Sequence, residues 1–152
     1  STIWRKICVV PRHIIAGPGL LDRIGQPDTP DDLNPDHCLS YSEDGSAETW
    51  HLTKGALTRR VRAGEHVSIN NGDLLCSMAA QGQGMTLLPG FLTRDAIAAG
   101  EVVTVLEDWQ AEPLWLTLFY PPYEQFPPLI ASFTDFFETY LQTKRAGEFQ
   151  FT

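Results

Sequence analysis

NNGDLLCSMAAQGQGMTLLPGF, residues 70–91, decides the fold, because it reads in order as helix start, short apolar helix, glycine break and buried strand. Asn70 or Asn71 can cap the helix, its side-chain oxygen accepting from one of the backbone N–H groups that a helix start leaves unpaired. Gly72 lets the backbone come close to whatever sits there. Leu74, Leu75, Met78 and Ala79 fall on one helical face, and Gly82 and Gly84 end the helix before the apolar run Met85, Thr86, Leu87 and Leu88, which Pro89 closes. A helix that starts at the rim of a sheet presents N–H groups suited to an anion.

Upstream, residues 3–9 and 12–16 are rich in Ile and Val and broken by Pro11, the pattern of two short strands with a kink between them. AGPGLLDRIG, residues 16–25, then runs a strand directly into a helix, with Pro18 fitted to the first turn and Gly25 to the stop. Residues 26–35 are Pro- and Asp-rich and predict a surface loop with one helical turn at 29–33. Strands are predicted at 37–42, 48–53 and 57–63, a helix at 91–99 closed by Gly100, and a short edge strand at 102–106. Residues 114–120 carry the strongest strand signal. The last element, residues 127–143, places Leu129, Ile130, Phe133, Phe136, Phe137, Tyr140 and Leu141 on one continuous helical stripe. At roughly 1.5–3 kcal/mol per large side chain buried, the stripe is worth on the order of 10 kcal/mol or more, so it is expected to pack on a sheet or on another chain. Strands alternating with helices predict an α/β fold with sites at the carboxyl ends of its strands.

A chain of 152 residues with 43% hydrophobic residues, four Trp and eight Phe can build a packed core. Eleven Lys plus Arg against nineteen Asp plus Glu give a net charge of −8, which repels a phosphate backbone and argues against direct nucleic-acid binding. Cys8, Cys38 and Cys76 form no CxxC pair, so neither a disulfide framework nor a zinc site is expected, and free thiols point to the cytoplasm. No apolar run approaches a membrane span, and the opening STIWRKICVV lacks the apolar core of a signal peptide.

The turns at Gly17-Pro18-Gly19 and Asn70-Asn71-Gly72 would open on one rim if their strands are parallel neighbours, letting two helix N-termini address one ligand. Singly, such motifs are ordinary caps and turns. GQGMTLLPG is no dinucleotide loop: its glycines follow a helix and precede a strand, and Leu87 stands where the third glycine belongs. Cys38 beside His37 is expected to be a buried thiol next to an exposed imidazole, since strand neighbours point to opposite faces. His13, His37, His51 and His66 lack metal-ligand spacing. Asp31, Asp32 and Asp36, like Glu43 and Asp44, have no apolar pocket to raise a pKa and read as turn residues. Arg60 and Arg62 share a strand face, beside Arg59, and suit an edge guard. Trp50, alone between two turn signals, is either core or the wall of a pocket, with core the commoner role. The candidate ligand-binding residues are therefore Gly17, Pro18, Gly19, Trp50, Asn70, Asn71 and Gly72, with no metal, cofactor or catalytic group.

AGPGLLDRIGQPDTPDDLNPDHCLSYS, residues 16–42, resembles a segment of LysR-type transcriptional regulators that runs strand, Ser-Pro, short helix, Gly-x-Pro, Asp-Leu, His-x-Cys-Leu. WHLTKG at 50–55, NNG at 70–72, AAQGQGMTLLP at 79–89, AGEVVTVL at 99–106 and the aromatic stripe after Pro128 continue the pattern in order. Gly17 replaces the family's serine, removing a hydroxyl from the turn, and Asp36 stands in place of its histidine. The resemblance implies the periplasmic-binding-protein-like type 2 effector domain, with residues 12–112 as a complete second lobe. Residues 1–11 and 113–152 would supply the crossing strand, closing strand and helix of a partial first lobe. The winged helix-turn-helix and the opening elements of that lobe are expected before Ser1, so DNA would be met only through that domain. It further implies a non-enzyme that holds a small effector between lobes, without a membrane, and the two helix N-termini make an anionic effector the expectation. Homodimers or higher oligomers are expected through Leu129, Phe133, Phe136, Phe137 and Tyr140. Any switch draws its free energy from the difference in effector affinity between states. A solute-binding protein of transport is the alternative, and a hydrolase using Cys38 or Cys76 a third.

Overall fold

Pro11 has no N–H to give a ladder, and the chain changes sheets there: β1 (Ile3–Val10) ends before it and β2 (Arg12–Ala16) begins after it. The computed structural model describes residues 3–122 and 125–144. The chain divides into a larger unit, Arg12–Glu112, and a smaller one drawn from the segments on either side.

In the larger unit β2 runs into α1 (Pro18–Ile24), with Pro18 in the first turn and Gly25 at φ 87 as the stop. The loop that follows holds two short 3-10 turns, Pro30–Asp32 and Pro35–His37. The second turn delays β3 (Cys38–Tyr41) by one residue against its expected start. β4 (Glu48–Lys54), β5 (Leu57–Ala63), β6 (Ser68–Ile69), α2 (Gly72–Ala80), β7 (Met85–Pro89), α3 (Gly90–Ala98), β8 (Val103–Val105) and β9 (Gln110–Ala111) complete the unit. The two-residue strands β6 and β9 are too short to show a hydrophobic period. Five strands form one sheet in the order β6-β3-β7-β2-β8, and three form another in the order β5-β4-β9. β3 is parallel to β6 and β7, whereas β2 is antiparallel to β7 and β8.

Strand alternation sends side chains to both faces of the five-stranded sheet, and both are covered. Ile15, Leu39 and Leu88 meet Leu75, Cys76 and Ala79 of α2, with Leu92 and Ala96 of α3 packed against them. On the opposite face Ile14, Cys38, Met85 and Leu87 meet Leu20, Leu33 and the three-stranded sheet's Trp50, Leu52 and Val61. β7, central and covered twice, is buried at every residue, which is why it reads as an uninterrupted apolar run. Leu74 departs from its expected place: α2 turns Leu75, Cys76 and Ala79 inward, leaving Leu74 48% exposed in the first turn. Arg60 and Arg62 are exposed on β5, an edge strand.

The smaller unit pairs β1 antiparallel with β10 (Leu114–Tyr120) and carries α4 (Pro128–Lys144). Thr134 is buried on α4, bonding to the Tyr120 hydroxyl at 2.6 Å and donating to the Ile130 carbonyl at 2.8 Å. Arg5 pairs with Asp135 and Glu138. The expected continuous stripe divides: Leu141 is buried, Ile130 and Phe137 are half-buried, but Leu129, Phe133, Phe136 and Tyr140 are exposed. A helix stripe this wide exceeds what a two-stranded ribbon can cover.

Candidate functional site

β6 and β7 run the same way, each parallel to β3, so their carboxyl ends share one end of the sheet. β6 passes through Asn70 and Asn71 into α2, and β7 passes directly from Pro89 into α3. Both helices therefore start at that end. Asn71 is the cap of α2, its Oδ1 accepting from the Leu74 N–H at 3.0 Å, while Asn70 stands exposed before it. α3 has Pro89 at its cap position and no side-chain cap, and the Thr93 hydroxyl donates to the Gly90 carbonyl at 3.2 Å. The two starts touch. A Cβ on Gly72 would lie 2.4 Å from Leu92 Cδ1 and 3.8 Å from Leu88 Cδ2, so the close approach that Gly72 permits is to α3.

Gly17, Pro18 and Gly19 lie elsewhere. Ala16 pairs with Met85, the first residue of β7, which puts this turn at the opposite end of the sheet from Asn71. The shared rim required parallel strands, and β2 is antiparallel to its neighbours. A Cβ on Gly17 would sit 2.4 Å from the Ala79 carbonyl oxygen and 3.0 Å from that of Ala80. The start of α1 is thus pressed on the last turn of α2, where opposite helix ends attract. Pro18 and Gly19 are exposed. Trp50 is 0% exposed and its indole Nε1 donates to Glu48 Oε2 at 3.2 Å, so it is core and walls no open pocket.

The other oxygen of the Glu48 carboxylate is in an ion pair: Arg12 Nη1 stands 3.1 Å from Glu48 Oε1. Arg12 is opposite Pro89, at the same end of the sheet as the α2 and α3 starts. In the loop after β3, the Ser46 side chain and N–H, with the Ser42 hydroxyl, hold the Asp44 carboxyl well below its ordinary range, at about 2. Burial pushes the Cys38 thiol up to about 12, and its Sγ donates to the Asn34 carbonyl at 3.3 Å. Cys76 is raised by burial and then by Asp73 and Glu101, and Cys8 by burial. None is poised as a thiolate at neutral pH. His37, beside Cys38, is half-buried and not exposed as expected. Among the described residues no group of His, Cys, Asp or Glu could hold a metal, and no helix is long and apolar enough to cross a membrane.

The sequence places the start of α3 within one residue, at Phe91 against the observed Gly90, but carries no local sign that it meets the start of α2. Two open depressions, of about 260 and 380 Å³, flank residues 26–27, the first lined by His37 and Met85 and the second by Leu106 and Trp109. No local pattern announces them.

The LysR substrate binding domain family matches residues 1–142. This chain belongs to that family. An uncharacterised HTH-type transcriptional regulator of Haemophilus influenzae is 31% identical over 127 residues, covering 84% of this chain and 44% of the regulator. The LysR-type virulence activator AphB of Vibrio cholerae, at full length, superposes with a TM-score of 0.73 and 26% identity, covering 92% of this chain and 48% of AphB. CrgA, a LysR-type regulator of Neisseria meningitidis, shares the fold at a TM-score of 0.72 and 24% identity, again over 92% of this chain and 48% of its own. The chain spans less than half the length of each of these proteins. Its architecture is the periplasmic-binding-protein-like type 2 fold of LysR-type regulatory domains. The relatives are transcriptional regulators and not enzymes, which counts against the transport and hydrolase readings.

Proposed function

We propose that this LysR-family effector-binding domain senses a small anionic metabolite at the rim where α2 and α3 begin, with Asn70, Asn71 and Gly72 on one helix and Gly90 on the other. The observation that carries the reading is the convergence of two nine-residue helices at one end of the sheet, both with N–H groups at the start. Two helix N-termini side by side favour negative charge there. In this reading Arg12–Glu112 is the second lobe, the smaller unit is part of the first, and DNA is bound by a winged helix-turn-helix elsewhere in a cytoplasmic regulator. The exposed residues Leu129, Phe133, Phe136 and Tyr140, with Phe137, serve association between copies.

Amide NMR during titration with a panel of mono- and dicarboxylates and inorganic phosphate tests the site. Shifts should concentrate at Asn71, Gly72, Gly90 and Phe91, with Gly17 and Gly19 as unmoved controls. Shifts gathered instead around residues 24–28, or at Gly17, would overturn the assignment. Light scattering tests the association. A monomer at high concentration would count decisively against it.

A further inference from the structure

The ladder between β1 and β10 stops at Val10 opposite Leu114, and the next residue on each segment is a proline, Pro11 and Pro113. Neither has an N–H, so backbone hydrogen bonds cannot carry the ribbon across this step. One residue further stand Arg12 and Glu112, and here a side chain makes the tie. Arg12 Nε and Nη2 donate to the Glu112 carbonyl oxygen at 3.0 and 2.8 Å. Its remaining nitrogen, Nη1, donates to Glu48 Oε1 at 3.1 Å, and Glu48 Oε2 accepts from the buried Trp50 indole. Glu112 is also held from behind, its N–H donating to the His51 carbonyl at 3.3 Å.

We infer that Arg12 is a latch fastening together the two segments that leave the larger unit, at the point where paired prolines break the ribbon, with Glu48 as its positioning residue. The guanidinium suits the task because two donors in a fixed plane can grip a single carbonyl oxygen, while the third direction is left for the carboxylate. The Arg12 and Glu48 side chains are only 15% and 25% exposed, so solvent competes little for the bond between them, and charge-assisted hydrogen bonds, like the two to the exposed Glu112 carbonyl, are stronger than neutral ones. Trp50 fixes Glu48 from the core, so the latch is anchored to the largest fully buried side chain among the described residues. Effector binding is not a premise of this inference.

Hydrogen exchange on the whole chain tests it, comparing the unaltered protein with Arg12→Gln, Arg12→Lys and Glu48→Gln. Arg12→Gln should speed exchange by about tenfold at protected amides of residues 8–10 and 114–116, the proline-proximal end of the ladder. Residues 85–89 of β7 and the far end of the ladder should keep their rates. Arg12→Lys, a point donor, should behave more like the Gln variant than like the parent. Glu48→Gln should shift the same amides by less, because Arg12 keeps its carbonyl partner but loses its fixed direction. Unchanged exchange at the crossing in folded Arg12→Gln overturns the inference, and so does an acceleration that spreads equally to β7. If Arg12→Gln does not fold, the same comparison of Arg12→Lys and Glu48→Gln decides it.

Discussion

The two units contain similar side chains and treat them differently. In Arg12–Glu112, layers lie on both faces of a five-stranded sheet, and Trp50, Ile15, Leu75 and Met85 are all at 1% exposure or less. In the smaller unit one helix meets two strands, and Leu129 is 81% exposed, Phe119 70%, Phe136 66% and Trp4 57%. The difference is one of layers and not of hydrophobicity. An apolar stripe is buried only as far as a second surface reaches, and a two-stranded ribbon offers little of it. Lys6 illustrates the consequence: its ammonium lies over the rings of Trp4 and Trp115, at 5.6 and 4.7 Å from their centroids.

The comparison is tested most severely by removing one aromatic from the closed region. Trp50→Ala should cost about 3–5 kcal/mol in equilibrium unfolding, since it empties a large cavity between two sheets and strips Glu48 of a donor. A cost below about 1 kcal/mol would mean that the sheets are not packed through Trp50 and that the contrast in burial carries little energy.

What could be read ahead of the structure follows the same division between local and layered features. Pro11, Gly25, Gly100 and the run at Met85–Pro89 are local signals, and the elements they delimit stand where they were expected. The Asn71 cap is local too. The direction of β2 is not: whether Ala16 pairs with the start or the end of β7 is settled by contacts about seventy residues apart. A rim shared by Gly17 and Asn71 requires parallel strands, and the antiparallel β2 puts the two at opposite ends of the sheet. Trp50 has two roles open in the sequence because the second sheet that buries it is nonlocal, and Leu74 is exposed because α2 turns Leu75, Cys76 and Ala79 onto strands distant in sequence. The α4 stripe was legible as a pattern, but its coverage depends on how many strands lie beneath it.

Glycine substitutions sharpen the picture of the closed region at its two ends. Gly17→Ala should destabilise by about 1–3 kcal/mol, because its methyl would meet backbone oxygens of Ala79 and Ala80, which cannot turn aside. Gly72→Ala should cost less, because the atom in the way is the tip of the Leu92 side chain. Gly19→Ala, with nothing within 4 Å of the added carbon, should stabilise by up to about 1 kcal/mol through helix propensity. Urea unfolding of the three variants gives the order. A reversed rank for Gly17 and Gly72 would show that the α1–α2 contact is looser than the α2–α3 contact.

Substitutions at Asn71 separate stability from the proposed recognition within the same region. Asn71→Ala should cost about 1 kcal/mol by freeing the Leu74 N–H. Asn71→Asp keeps an acceptor at the cap and should restore that stability, yet its negative charge should weaken the binding of carboxylates or phosphate at the rim. If Asn71→Asp restores both, the residue is a cap alone and the anion site lies elsewhere.

The smallest stability effect belongs to the open region, and it completes the contrast. Phe136→Ser removes as large an apolar body as many core substitutions, but Phe136 is mostly in water, so unfolding free energy should change by no more than about 0.5 kcal/mol. Its effect should be seen instead in association, as a fall in the average mass measured by light scattering at high concentration. Leu129→Gln should act in the same way, since Leu129 is 81% exposed, the most of the large apolar residues among those described. A stability loss of several kcal/mol with unchanged mass would mean that this face is covered within a single chain, and the two regions would then differ in size alone.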